Sequence, residues 1–392
     1  MRLSKDESIS ILQLTLWMVA VHLSPTFFFF PAFSSIAGQD GWMAVLLAIP
    51  LIAWGVFIIL RLVSVAPHLS LPEAIQAAAG PVLGRALNLA LAVYFLFHAA
   101  FALWTLEELL TTIALPRTPG LAITGTMMCI VLMGARRGIE TIARTVGLLV
   151  FGGILSVSLI MLLLLPDAQL RNLTPFLAVG WPSLAWATFA NVAHADFLPL
   201  AAAFLPFVSA AKGRERRLLL VPLIANGFIS LAFAMTVAVL TFPVAENLVF
   251  EFLGLVRYIA AAEFLERLDP LLLIGWVVLG FLRIAAHFVA ALLALRSVFR
   301  LNDYRFLSMP LAVLALVWSE TLFSNTRERS EFSNSSLSAC NLAFGYVLPA
   351  LLLALFMLNR HRLAPRGGGP PAKSPGSKGE GAEGPASKAR RG

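Results

Sequence analysis

Apolar runs separated by short polar stretches fill this chain from near its start to about residue 359. The runs are long, and a helix needs about 20 apolar residues to cross the hydrocarbon core of a bilayer. Each run therefore predicts a transmembrane helix. Ten spans are expected, at about 11–33, 42–63, 86–106, 120–134, 146–165, 181–207, 218–242, 270–293, 306–323 and 342–359. A β-barrel would show strands of about ten residues with alternating polarity, a pattern these runs lack. The expected fold is all-α and integral to the membrane, with residues 1–362 as one ten-helix domain. The spans divide into two sets of five, 11–165 and 181–359. An odd number per set sends the second set into the membrane from the opposite side, so any repeat has inverted topology.

Two of the apolar runs are interrupted at matching places, one in each half. The first reads His22-Leu23-Ser24-Pro25-Thr26 and the second Asn191-Val192-Ala193-His194-Ala195-Asp196. A carboxylate and an imidazole at mid-membrane depth are costly against lipid, which makes intramembrane ionisable groups candidates for function. Broken helices at corresponding positions of two halves point to a transporter-type binding site. Pro25 removes a backbone donor, while Ser24 and Thr26 can bond carbonyls and limit the disturbance to a kink. In the second break, Asn191 and His194 share a helix face and Asp196 points elsewhere. Asp196 has three open roles: contact for a substrate ammonium, proton-coupling group, or partner for Arg283, which lies alone in the eighth span. Replacing Asp196 with asparagine is expected to abolish function in a folded protein under the first two roles. Under the third, changing either member of the pair lowers protein abundance. Trp276 and His287 share the eighth span with Arg283 and are candidates for the same cavity. Glu107 and Glu108 end the third span, where an acidic group is either solvated or part of a cavity.

Composition narrows the class. The chain is 59% hydrophobic and 13% charged, with a formal net charge of +8. Most of its 29 basic residues fall on one side of the expected spans and in the tail. By the positive-inside rule both termini are expected in the cytoplasm. Basic residues at membrane edges suit anionic lipid rather than nucleic acid. Cys129 and Cys340 provide neither a metal spacing nor a disulfide framework. Asp6 and Glu7 and the length of the first apolar run argue against a cleaved signal peptide. The Gly-, Pro-, Ser- and Lys-rich stretch 363–392 is expected to be a disordered, basic cytoplasmic tail. Two longer links stand out, 64–85 with a short helix expected at Leu71–Ala79, and 243–269 with amphipathic spacing. Phosphate-loop and zinc-protease motifs are absent, so neither an enzyme nor a cofactor or metal is expected.

Five stretches resemble the endospore germination permeases, the B-type subunits of nutrient germinant receptors. They are Gly38-Gln39-Asp40-Gly41-Trp42 before the second span, and Arg137-Gly138-Ile139-Glu140 with Ile142-Ala143-Arg144 before the fifth. Next come Leu165-Pro166-Asp167 with Asn172-Leu173-Thr174-Pro175 before the sixth, Phe264-Leu265-Glu266-Arg267-Leu268-Asp269 before the eighth, and Asp303-Tyr304-Arg305 after it. The resemblance implies the amino acid–polyamine–organocation superfamily and a LeuT-like fold of inverted five-helix repeats, broken in helices 1 and 6. It also implies a receptor subunit in the spore inner membrane that binds a small nutrient, an amino acid by family habit, and works with A-type and C-type subunits. The Ala195-Asp196 pair matches the family's small–acidic position in helix 6. The Gly-rich break usual in helix 1 of the superfamily is replaced here by His22 to Thr26. The alternative function is a secondary amino acid transporter coupled to H⁺ or Na⁺.

Overall fold

The computed structural model describes residues 8–26, 36–66, 69–208, 215–248, 254–255 and 269–358. Within them the chain is almost entirely helical. The principal helices are α1 (Ile11–Thr26), α2 (Gly41–Val65), α3 (Leu71–Ile113), α4 (Gly120–Arg137) and α5 (Ile139–Leu164). The second half contributes α6 (Gly180–Ala193), α7 (Phe197–Phe204), α8 (Leu220–Leu240), α9 (Asp269–Phe299) and α10 (Ser308–Thr321). The last span is built from α11 (Thr326–Phe332), α12 (Ser338–Leu342) and α13 (Leu348–Leu358), joined by π-helical turns at Ser333–Leu337 and Ala343–Val347.

Among the described residues, seven helical stretches are long and apolar enough to cross a membrane: Gly38–Val65, Leu71–Ile113, Ile139–Asp167, Gly180–Phe207, Glu215–Leu240, Leu273–Phe299 and Arg327–Leu358. The other three expected spans coincide with α1, α4 and α10. Two of these are shorter, and α4 ends on Arg136 and Arg137. Length and composition alone thus license seven spans among the described residues, and the count of ten rests on adding these three helices.

Local sequence explains most boundaries. Ser10 and Gln13 cap α1 reciprocally, the Ser10 N–H donating to Gln13 Oε1 at 2.8 Å and the Gln13 N–H to Ser10 Oγ at 3.1 Å. Ser70 and Glu73 repeat the device at the start of α3. Gly80, at φ 77°, breaks α3 so that its first turns form the short helix expected before the third span. Gly138, at φ 99°, separates α4 from α5. The tail 359–392 and most of the 243–269 link lie outside the described residues.

Packing follows the two-half organisation. The third helices of the two halves, α3 and α9, lie against each other, and so do the second helices, α2 and α8. Burial ranks the spans: 89% of the Gly180–Phe207 window is interior, against 39% for Gly38–Val65 and Ile139–Asp167. The broken sixth span is therefore the axis of the bundle, with α3 and α9 beside it. Large apolar side chains left exposed, such as Trp54, Leu148, Phe151 and Leu162, lie on the outer helices and suit lipid contact.

Three of the five resemblance motifs take structural roles at the loops, while the stretch 264–268 lies outside the described residues. Asp40 is fully buried and accepts the N–H groups of Leu177 at 3.1 Å and Val179 at 3.5 Å, while Gln39 donates to the Pro175 carbonyl at 2.5 Å. The Gly38–Gly41 segment thereby clamps the link between the halves. That link is further held by Asn172, whose amide donates to the Ala238 carbonyl at 2.8 Å. On the other face, Arg136 donates to Ser308 Oγ at 3.1 Å, next to the Asp303-Tyr304-Arg305 turn. Replacing Asp40 with alanine leaves two backbone N–H groups without their acceptor. A loss of about 1–3 kcal/mol is expected, measurable as a lower unfolding temperature in detergent.

Candidate functional site

The sixth span breaks where the polar cluster sits. Helix α6 ends at Ala193, and His194 to Asp196 turn the chain before α7 begins at Phe197. The turn closes on itself through the Asp196 N–H, which donates to the His194 carbonyl at 2.9 Å. Pro199 follows in the first turn of α7, where its missing N–H costs nothing. The result points the Asp196 carboxylate into the interior, where it is 1% exposed.

Three cationic or titratable side chains converge on that carboxylate. Arg283 of α9 places Nη2 2.5 Å from Asp196 Oδ2 and Nη1 3.5 Å from Oδ1. His98 Nδ1 from α3 and His287 Nε2 from α9 each lie 3.3 Å from Oδ2. Arg283 Nη1 also donates to the Val21 carbonyl of α1 at 3.1 Å, tying the first helix to the group. The two imidazoles stack with centroids 4.9 Å apart. Behind His98, the Asn341 amide oxygen accepts from the ring at 2.9 Å and from the Tyr94 hydroxyl at 3.0 Å. Asn341 is carried by α12, the short piece between two π-helical turns. Such turns are common at functional sites.

A second polar chain lies beside the first. His22 Nε2 donates to Asn226 Oδ1 at 2.6 Å, and Asn226 Nδ2 donates to the Val45 carbonyl at 3.1 Å and to Asn191 Oδ1 at 3.0 Å. This links α1, α2, α6 and α8. The His22 ring meets the edge of Phe197, the first residue after the break, at 5.2 Å.

The structure brings together part of the expected site. Asp196 and Arg283 form the pair that the sequence left as one of three alternatives. His22 and Asn191 join the adjacent chain, and Ser24 and Ala195 are buried nearby on the same two elements. His194 turns away, its Nδ1 donating to the Ala190 carbonyl of its own helix at 2.7 Å. Helix α1 runs unbroken through residues 22–26 and ends at Thr26, where the break was expected. The side chains of Pro25 and Thr26 and all of 27–35 lie outside the described residues. Trp276 is buried two turns along α9 from Arg283. Glu107 lies against Gly120 at the far end of α3, away from the Asp196 group. Its neighbour Glu108 faces Arg329 Nη1 at 3.5 Å. His98, Tyr94, Asn226 and Asn341 were not singled out from sequence. The available signal was a polar side chain or two within each of several apolar runs.

What decides the family is the extent of its match. Residues 8–326 match the spore permease family of spore germination proteins. This chain belongs to that family. Its relatives include spore germination protein KB of Bacillus subtilis (strain 168), 24% identical over 363 residues, covering 90% of this chain and 96% of that protein. The putative spore germination protein YfkT of the same organism is 23% identical over 324 residues, covering 81% and 87%. Among solved structures, Mhp1, a nucleobase-cation-symport-1 family transporter in a closed conformation with bromovinylhydantoin bound, superposes with a TM-score of 0.67 at 12% identity, covering 92% of this chain and 81% of that one. A Na⁺-coupled sialic acid symporter in a substrate-bound outward-open state gives 0.58 at 16%, covering 90% and 79%. These likenesses show the fold, which is LeuT-like, and the spore permease family and its fold neighbours are permeases and transporters rather than enzymes.

Proposed function

We propose that this spore permease family member is the nutrient-recognising B-type subunit of a germinant receptor, and that the nutrient is a zwitterion such as an amino acid. The observation that carries the reading is the Asp196–Arg283 pair, set at the break of the central span and bonded to the α1 backbone. Each half of that pair has the complement of one end of a zwitterion. A nutrient carboxylate would take the Arg283 guanidinium and its ammonium would take Asp196. The exchange keeps every buried charge compensated, which a ligand of one sign could not do. Because α1, α3, α9 and the turn between α6 and α7 all contribute to the group, breaking the pair loosens several helices at once. That gives binding a route to conformational change. His22, Ser24, Pro25, Thr26, Asn191, His194 and Ala195, on α1 and at the break of the sixth span, remain the candidates for further contacts to the nutrient.

In this reading the subunit acts in the spore inner membrane with both termini in the cytoplasm, partnered by A-type and C-type subunits, and binding leads to ion release and germination. Transport names among the fold neighbours favour a second reading, a secondary amino acid transporter coupled to H⁺ or Na⁺. Uptake of radiolabelled amino acids into vesicles containing this subunit alone separates the two. The receptor reading expects saturable binding without sustained accumulation. Accumulation driven by an ion gradient would replace it with the transporter reading. Genes for A-type and C-type partners beside this one would support the receptor.

A further inference from the structure

The outer partners of the two histidines fix their tautomers. His287 Nδ1 lies 3.0 Å from the Arg283 carbonyl, which can only accept, so Nδ1 carries a proton. His98 Nε2 faces the Asn341 amide oxygen, which also accepts from Tyr94, so Nε2 carries a proton. In the neutral rings, the inner nitrogens therefore present lone pairs. Both of those nitrogens, His98 Nδ1 and His287 Nε2, lie 3.3 Å from Asp196 Oδ2. A carbonyl or amide holding the outer N–H while the inner nitrogen points to a shared centre is how proteins orient imidazole ligands for a cation. Lone pairs and a carboxylate converging this closely repel each other unless positive charge sits among them. Arg283 supplies it: Nη2 touches Asp196 Oδ2 at 2.5 Å and lies 3.4 Å from His98 Nδ1.

We propose that Arg283 is the resident cation of a His98–Asp196–His287 cation site, so that this chain needs no co-bound metal ion, and that removing the guanidinium leaves a ligand set for a divalent transition metal. Two imidazole nitrogens and one carboxylate oxygen suit Zn²⁺ or Co²⁺ rather than Na⁺ or Mg²⁺, which prefer oxygen. In a tetrahedral zinc site with bonds of about 2.0–2.1 Å, neighbouring ligand atoms stand roughly 3.3–3.4 Å apart. The two 3.3 Å separations from Asp196 match that edge, and all three ligand atoms lie within 4.8 Å of one another. With Arg283 in place, a divalent ion would leave a large uncompensated charge in the interior, so the guanidinium excludes it. The two fold neighbours are named for cation coupling; in this chain a guanidinium occupies the centre of the His98–Asp196–His287 group. The inference holds whichever nutrient is bound.

The test uses the full chain purified in detergent as wild type, Arg283→Ala, Arg283→Gln and Arg283→Ala/His287→Ala. Each is titrated with Zn²⁺ by calorimetry and with Co²⁺ by visible absorption, which reports tetrahedral coordination. Arg283→Ala should bind both ions, with affinity at least about tenfold weaker once His287 is also removed, and the wild type should bind neither at this site. Equal binding by wild type and Arg283→Ala, or an affinity indifferent to His287, overturns the proposal. Arg283→Gln serves as the metal-binding variant should the alanine form not fold. The wild type alone supplies a further arm: its unfolding temperature should be the same in sodium chloride and in choline chloride of equal ionic strength. Specific stabilisation by sodium would mean that a bound cation is required, and would also overturn the proposal.

Discussion

Asparagine at position 196 is expected to destabilise the protein by about 3–5 kcal/mol, because it leaves Arg283 charged in the interior without its carboxylate. The guanidinium would keep the Val21 carbonyl, His98 and a neutral amide oxygen at 196, none of which carries compensating charge. Both groups are almost completely buried, so water cannot replace the lost partner. The expected result is low abundance in isolated membranes by immunoblot and a sharply lower unfolding temperature in detergent. A folded but unresponsive Asp196→Asn protein, one of the outcomes open from sequence, is not what a paired Asp196 predicts. Arg283→Ala likewise leaves the buried Asp196 carboxylate without its cation and should also destabilise. The double variant Asp196→Leu/Arg283→Met should recover abundance, since an apolar pair of similar volume avoids the desolvation of both ions. The charge-swapped double variant should recover only part of it, because the Val21 carbonyl would then face a carboxylate. Full recovery by the apolar pair with loss of ligand response would separate a recognition role from a structural one.

The second large effect is expected at Asn226, a residue outside every resemblance motif. Leucine there would remove the acceptor of the His22 N–H and the donor to Asn191 Oδ1, both buried. Each orphaned group costs about 1–3 kcal/mol. The expected sum is comparable with the loss at Asp196, although no full charge is exposed. Because His22 and Asn226 share one bond, His22→Ala and Asn226→Leu should not add. A coupling of about 0.5–3 kcal/mol is expected in a double-mutant cycle on unfolding in detergent. Additive losses would mean that the 2.6 Å contact contributes nothing to the fold.

These two residues also show how much the sequence discloses. Asp196 stands out because a carboxylate inside an apolar run is expensive, and Arg283 stands out for the same reason, which makes the pair readable as an alternative. The break at His194 to Asp196 is likewise visible, as a run of small and polar residues ahead of a proline. Asn226, His98, Tyr94 and Asn341 are different. They lie on three helices, with Tyr94 and His98 one turn apart on α3, and the partner lies more than two hundred positions away for His98, Tyr94 and His22. No spacing rule within a helix encodes such a meeting; only the arrangement of the bundle does. The same limit explains the histidines. His287 is four residues from Arg283 and readable as a neighbour, but the stacking of His98 on it depends on how α3 lies along α9. At the loops the reverse holds: the Gly38–Gly41 and Asn172–Pro175 motifs are prominent in the sequence, and the structure shows them clamping the link between the two halves.

The central claim is that a zwitterionic nutrient is recognised at the Asp196–Arg283 pair. The most direct test is a thermal-shift screen of the purified wild-type chain and the Asp196→Leu/Arg283→Met variant against the proteinogenic amino acids, one at a time. Stabilisation of the wild type by one or a few amino acids, lost in the variant, is the predicted result. Equal stabilisation of both proteins would contradict the account, because the nutrient would then be bound without the pair.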